Sequence, residues 1–264
     1  MVYKMKLAEI SEVELKDDPF LPHSLGFAKL HGNGNDFILV DEISRELVAE
    51  SAKSRFAIAC CRRSFGIGAD GVLFLASSQR ADLGMRLFQP DGSEAEMCGN
   101  GIRCLAKYSW ESGYVGQSFD VETLAGIIPI QVRERDGSFW ARVDMGVPRF
   151  NRPSIPACGS GDLMDEQMGE FRVFAVNDLD IDIYEAAPPI RHCSVFPEGA
   201  NVDFVKLGSS LQIRTFERGV EGETFSCGTG AVASASVARR MGLVEDEALV
   251  ESKGGPLIIT FEKG

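Results

Sequence analysis

The chain reads as an α/β protein of two related halves, each with mixed strands around a helix that begins just after a cysteine. Three observations predict this. Short apolar runs bounded by glycine turns recur along the chain, and 28 glycines favour many turns and close backbone approaches. The stretch from Ser44 to Arg63 shows helical periodicity. Above all, the sequence repeats itself. Cys98-Gly99-Asn100-Gly101 opens a helix-compatible run ending at Gly113-Tyr114-Val115, and Cys227-Gly228-Thr229-Gly230 opens another ending at Gly242-Leu243-Val244. The offset of 129 positions then persists without a gap, matching Ala106 with Ala235, Val121-Glu122 with Val250-Glu251, Gly126 with Gly255 and Ile130 with Ile259. Phe88 and Phe216 precede the two cysteines by nearly equal distances. Two copies of this size imply a duplicated domain, with a functional site expected in the cleft between copies. The expected division is a lead at 1–25, a first half at 26–145 and a second at 146–264.

Taken in order, residues 1–25 form a polar lead with Pro19 and Pro22 and no clear period, and structure is expected to begin at Phe27-Ala28-Lys29-Leu30. The turn from His31 to Asp36 leads to a second strand, Phe37 to Val40. From Ser44 to Arg63 the residues Leu47, Val48, Ala52, Phe56, Ala57 and Cys60 fall at helical spacing without Gly or Pro, which predicts one helix. Gly66-Ile67-Gly68-Ala69-Asp70-Gly71 has the letters GxGxxG. A dinucleotide fingerprint needs a strand before it and a helix after it, and the order here is reversed, so a tight turn is expected. Strands follow at Val72 to Leu75 and Met85 to Phe88, then a turn at Pro90-Asp91-Gly92.

Composition excludes several function classes. At 264 residues, 44% hydrophobic and 25% charged, the chain fits an ordinary globular protein. A net charge of −12 with scattered Lys and Arg argues against nucleic acid. Apolar runs are far shorter than the roughly 20 residues of a membrane span, and the N-terminus lacks a signal-peptide core, so a cytoplasmic protein is expected. Seven cysteines without a CxxC spacing, and only three histidines, leave little material for a disulfide scaffold, a structural zinc or a Ser-His-Asp triad. No metal or cofactor is expected.

The duplicated cysteines are the sharpest chemical feature. A thiol at a helix N-terminus feels the positive end of the macrodipole, which is expected to lower its pKa. Adjacent glycines expose backbone N–H groups suited to a carboxylate. The plainer reading, small buried cysteines in helix-start turns, is weakened by their occurring twice in the same place. Glu217-Arg218-Gly219 and Glu221-Gly222-Glu223-Thr224 set acids and an arginine beside Cys227; a solvated hairpin with surface ion pairs is the competing reading. Asn35, Asn100 and Asn201 stand in turn contexts where asparagine often serves only the backbone. Cys60, Cys61, Cys104, Cys158 and Cys193 lack a paired setting and read as core or incidental.

His31-Gly32-Asn33-Gly34-Asn35-Asp36-Phe37, the Gly66–Gly71 turn, Asp91 through Cys104, Phe196-Pro197-Glu198-Gly199-Ala200-Asn201-Val202 and Glu217 through Gly230 together resemble the diaminopimelate epimerase family from about Phe27 to Phe261. The resemblance implies a curved mixed sheet wrapped around a central helix in each half, a pyridoxal-phosphate-independent epimerase with no cofactor, and a homodimer. Its substrate would be 2,6-diaminopimelate, interconverted between the LL and meso forms on the way to lysine and peptidoglycan. By this likeness Cys98 and Cys227 are the acid/base pair. The N–H groups of Gly99, Asn100, Gly228 and Thr229 would hold the reacting carboxylate. Glu217 would bind the reacting ammonium, and Arg218, Asn201, Asn35 and Gln89 would fix the substrate, Arg218 by a bidentate grip. Three departures stand out: Gln89 where the family usually has Asn, no Pro-His element between Phe171–Val176 and Asp178–Ile183, and an end at Gly264 where the family typically adds a returning strand. Another racemase of the same fold, such as a proline racemase relative, and a thiol-redox protein with a switchable Cys98–Cys227 disulfide are the competing functions.

Overall fold

The computed structural model describes residues 3–6, 25–135, 137–155, 157–163, 167–168, 171–172, 176 and 178–262. The chain divides into two compact units, Met1–Asp144 and Met145–Gly264.

The first unit contains β1 (Tyr3–Lys6), β2 (Gly26–Gly32), β3 (Asn35–Asp41), α1 (Lys53–Cys61), β4 (Gly71–Ala76), β5 (Leu83–Phe88), β6 (Glu94–Ala95), α2 (Gly99–Glu111), β7 (Ser118–Thr123), β8 (Gly126–Arg135) and β9 (Ser138–Val143). Among the described residues these strands form one sheet in the order β1-β2-β3-β4-β5-β7-β8-β9, with β6 beside β5. The β3–β4 and β5–β7 pairs are parallel. The sheet wraps α2: Leu30, Leu39, Leu73, Leu87, Val121 and Ile130 close on Ile102, Leu105 and Ala106. The reverse face of β3 and β4, with Ile38, Val40, Val72 and Phe74, takes Phe56, Ala57 and Cys60 of α1. Covering both faces explains why these strands read as unbroken apolar runs rather than as alternation.

The second unit contains β10 (Gln167–Met168), β11 (Phe171–Arg172), α3 (Ile183–Arg191), β12 (Val202–Leu207), β13 (Leu211–Glu217), β14 (Gly222–Thr224), α4 (Gly228–Arg240), β15 (Glu247–Ser252) and β16 (Gly255–Thr260). Its main sheet runs β12-β13-β15-β16 with β14 on β13. Val205, Leu211, Ile213 and Val250 pack on Ala231, Ala235 and Ala238 of α4. The opposite face, Val202, Phe204 and Phe216, takes Ile183 and Ala187 of α3.

The repeat holds down to single bonds. α2 and α4, and β7 and β15, match end to end at the 129-residue offset. Each helix ends at a left-handed glycine, Gly113 (φ 75°) or Gly242 (φ 73°). A bidentate Arg–Glu pair ties the strand before each cysteine to its neighbour: Arg86 to Glu94 at 2.5 and 2.7 Å, Arg214 to Glu223 at 2.7 and 2.9 Å. Thr123 Oγ1 bonds to Gly126 O, and Ser252 Oγ to Gly255 O, each at 2.9 Å.

Two expectations change, and a third falls partly outside the described residues. The helix foreseen over Ser44–Arg63 is confined to Lys53–Cys61, preceded by a single 3₁₀ turn at Glu50–Ala52. The cause is Glu42, buried and paired with Lys53 Nζ at 2.8 Å, whose Oε1 accepts from the N–H groups of Leu47 and Val48 at 2.9 Å and holds that stretch as a loop. The N-terminal lead contributes an edge strand, Tyr3–Lys6, antiparallel to β2. The Pro-His departure falls partly at residues 173–175 and 177, which lie outside the described residues.

Candidate active site

The site of the first unit starts at a hairpin. Asn33 (φ 52°) and Gly34 (φ 84°) both adopt left-handed backbone, the two-residue turn that joins twisted antiparallel strands. This sets Asn35 at the start of β3. Cys98, in extended backbone, is the N-cap of α2 and half-buried. Its Sγ donates to Asn35 Oδ1 at 3.7 Å, and Asn100 Nδ2 donates to the same oxygen at 3.4 Å. β2 approaches so closely that a Cβ on Gly32 would stand 3.0 Å from Asn100 O, which accounts for glycine there. Arg103, one turn into α2, donates to Gly99 O and Asn33 Oδ1 at 3.0 Å and to Asn100 Oδ1 at 2.5 Å.

Beside Asn35 lies a charge cluster. Lys29 Nζ reaches Asp36 at 2.6 Å, and Arg63 Nη2 reaches Asp36 at 2.7 Å and Asp70 at 2.5 Å. Burial raises the Asp36 carboxyl, but the bonds from Arg63 and Lys29 prevail and hold it at about 2. Asp70 closes the Gly66–Gly71 segment, which follows α1 and precedes β4, as the reversed order requires. Gly66 is demanded by packing, since a Cβ there would stand 2.4 Å from Ala59 O.

In the second unit Cys227 is the buried N-cap of α4. Its sulfur meets donors: Gly230 N–H at 3.4 Å and Asn201 Nδ2 at 3.7 Å, with Thr229 Oγ1 3.2 Å away. Asn201 Oδ1 accepts from the Arg218 backbone N–H at 2.9 Å. The expectation that the macrodipole lowers this thiol's pKa is overturned. Burial pushes Cys227 up to about 12, reinforced by the charges of Glu217 and Asp203 and only partly opposed by Thr229 and the Gly230 N–H. Asp203 packs under the first turn of α4, bonded to Thr215 Oγ1 at 2.5 Å, and a Cβ on Gly230 would meet its Oδ1 at 2.5 Å. Desolvation moves the Asp203 carboxyl up to about 6.

The structure therefore brings Asn35, Cys98 and Asn100 together in one unit, and Asn201, Cys227, Thr229 and Glu217 in the other. Gly99 and Gly228 open their helices. Gln89 directly follows β5 and, among the described residues, stands outside the hydrogen-bonded group; its backbone closes the turn, with its N–H on Ser93 O at 2.8 Å. Arg218 is exposed, with its guanidinium on Glu198 O at 3.3 Å. Glu221 and Glu223 belong to the competing structural reading: Glu221 pairs with Arg191, and Glu223 with Arg214 and Lys253. Cys60, Cys61 and Cys104 are buried and their thiols pushed up to about 12, whereas Cys158 is exposed and Cys193 half-buried. Asp70, Arg103 and Asp203 were not anticipated. A signal existed for Asp203, which lies two residues beyond Asn201 as the chain enters β12 and so falls on the same side of an extended backbone. Among the described residues no cluster of His, Cys, Asp and Glu is placed to hold a metal, and no helix is long and apolar enough to cross a membrane.

Both the fold and the sequence have known relatives. Solved structures with the same fold include a Bacillus anthracis phenazine biosynthesis protein of the PhzF family, at TM-score 0.60, 19% identity and 87% and 88% of the two chains. A hydroxyproline epimerase from Agrobacterium vitis, with bound trans-4-hydroxy-L-proline, matches at TM-score 0.59, 19% identity and 88% and 82% coverage. Among sequences, a diaminopimelate epimerase of Methanothrix thermoacetophila is 62% identical over 250 residues, 90% of each chain. One from Archaeoglobus fulgidus is 49% identical over 249 residues, 89% of each. The family profile described as diaminopimelate epimerase matches residues 27–151 and 170–263. The chain belongs to the diaminopimelate epimerase family.

Proposed function

We propose that this chain interconverts LL- and meso-2,6-diaminopimelate without a cofactor, by proton transfer at one α-carbon. The observation that carries the reading is the duplicated cysteine at the N-cap of a thirteen-residue helix, Gly99–Glu111 and Gly228–Arg240. Cys98 and Cys227 are the acid/base pair: one thiolate removes the α-proton, and the other thiol delivers a proton to the opposite face of the carbanion. At each helix start the first N–H groups lack intrahelical partners. Gly99, Asn100, Gly228 and Thr229 thus supply oriented donors for a carboxylate that gains negative charge as the proton leaves. Glu217 takes the reacting ammonium, which also offsets the negative charge that holds the Cys227 thiol up. Asn35, Gln89, Asn201 and Arg218 fix the remainder of the substrate, Arg218 turning its exposed guanidinium from Glu198 O to the distal carboxylate.

The test is chromatographic separation of the isomers after incubation of the purified chain with the LL form. Conversion to an LL–meso mixture is expected, unchanged after dialysis against EDTA and without pyridoxal phosphate. Failure to convert, or activity restored only by zinc, would remove the reading. The enzyme is further proposed to act in the cytoplasm as a homodimer. Seven free cysteines support a reducing compartment, and the family resemblance supports the dimer, which light scattering in solution tests.

A further inference from the structure

The Gly66–Gly71 turn has no part in the proposed reaction, yet its Asp70 side chain reaches the group that faces Cys98. Asp70 Oδ2 accepts from Asn35 Nδ2 at 2.7 Å and from the Asp36 N–H at 3.0 Å, while Oδ1 accepts from Arg63 Nη2 at 2.5 Å. A carboxylate has no hydrogen to give, so Asn35 must present its NH2 to Asp70 and its Oδ1 to the other side. On that side stand Cys98 Sγ, at 3.7 Å, and Asn100 Nδ2, at 3.4 Å. Arg103, which only donates, fixes the second amide in the same sense by holding Asn100 Oδ1 at 2.5 Å. The chain Arg103, Asn100, Asn35, Asp70 therefore has one direction, set by a pure donor at one end and a pure acceptor at the other.

We propose that Asp70 is a positioning residue, which locks the Asn35 carboxamide so that Cys98 meets a hydrogen-bond acceptor and keeps its proton. The second unit fixes the opposite sense: Asn201 Oδ1 is occupied by the Arg218 N–H at 2.9 Å, and its NH2 faces Cys227 at 3.7 Å. An acceptor favours S–H and a donor favours the thiolate, although at Cys227 burial and the charges of Glu217 and Asp203 prevail over the donors. The charged groups around Asn35 are Lys29 on β2, Asp36 on β3, Arg63 after α1 and Arg103 on α2; Lys29 and Arg63 offset the two carboxylates. This role rests on the reading of Cys98 as an acid/base residue.

The experiment is peptide-resolved alkylation by iodoacetamide across pH 6 to 10, on the full chain, with Cys227 as the reference in each sample and thermal unfolding alongside. In Asp70→Asn the Asn35 amide loses its 2.7 Å anchor and keeps only the longer 3.4 Å bond from Asn100 to hold its sense, so that its NH2 turns toward the sulfur. The Cys98 titration is then expected to fall by about one pH unit, with alkylation at pH 7 rising about fivefold. Cys227 stays within about twofold of its wild-type rate. Arg63→Gln removes the ion pair but leaves the carboxylate on Asn35, and is expected to leave Cys98 unchanged. Asp70→Ser serves in the same way where Asp70→Asn does not fold. A Cys98 rate within twofold of wild type in the Asp70 variants, a parallel change at Cys227, or reproduction of the effect by Arg63→Gln would each overturn the proposal. Alkylation requires no turnover, so a chain that fails to epimerise would sink the epimerase reading and leave this result to be judged by itself.

Discussion

Around Cys98 the sulfur faces the carbonyl oxygen of Asn35, and one turn on stands the cation Arg103. Around Cys227 the sulfur faces the amide of Asn201 and the Gly230 N–H, with the carboxylates Asp203 and Glu217 close enough to raise its pKa. The backbone beneath is the same: an extended N-cap, glycine at the first and third helical positions, thirteen residues of helix. The difference comes from the strands. Under Gly101 lies Leu73, and under the matching Gly230 lies Asp203. A duplicated backbone thus supplies two equivalent positions, and a few side chains below make them chemically unequal. Proton transfer across one carbon needs an acid and a base at the same moment, which two identical thiols would supply only by chance of protonation.

The comparison is broken most severely by removing either sulfur. Cys98→Ala and Cys227→Ala are each expected to lower kcat by about 10³-fold or more in both directions. Near wild-type turnover by either, measured with both isomers, would mean that one thiol serves both faces. Glu217→Gln comes next, with kcat/KM falling about 10²-fold through loss of the ammonium partner. The same change removes a negative charge that raises Cys227, so its alkylation at pH 8 should speed up while that of Cys98 does not.

Two stability measurements sharpen the contrast further. Arg214 and Glu223 are 17% and 9% exposed, against 32% and 22% for Arg86 and Glu94. Arg214 also holds the carbonyls of Leu179 and Ile181 at 2.7 and 2.8 Å. Arg214→Leu is expected to cost about 2 kcal/mol in urea unfolding, and Arg86→Leu about 1 kcal/mol. Equal costs would show that burial does not distinguish the pairs. Asp203→Asn tests the same contrast through pH. With a folded-state pKa near 6 against an ordinary 3.8, the protonated acid is favoured by folding, so its contribution is complete below pH 4 and lost as pH rises through 6. Asparagine should therefore raise the melting temperature by a few degrees at pH 8 and leave it unchanged at pH 4. A gain at pH 4 equal to that at pH 8 would exclude the titrating carboxyl as its cause.

What could be read from residues alone was what is local or periodic. Phe37 to Val40 and Val72 to Leu75 declare buried strands by unbroken apolarity, and the cysteine-first helices declare themselves by an offset that spans 129 positions without a gap. The Ser44–Arg63 helix was overextended because Glu42, upstream of the stretch, takes two of its N–H groups. α3 was hidden by Pro188 and Pro189, although Asp182 caps it by accepting from Tyr184 N–H at 2.9 Å. At the site, the helix start that favours a thiolate is visible in Cys-Gly-Thr-Gly. What prevails over it is burial of the thiol, with the charges of Glu217 and Asp203 adding to it, and how deeply a helix start is buried is set by packing that no local spacing encodes.

The central claim, one thiol to remove the proton and another to deliver it, is tested most directly in heavy water. LL-diaminopimelate in D₂O is stopped at low conversion, and α-deuterium is measured separately in the recovered LL and the newly formed meso isomer. Two unequal thiols predict a meso product carrying one deuterium from the first turnovers while the recovered LL form remains protiated. A meso product that retains the original α-proton would mean that a single base carries it across, and would contradict the account.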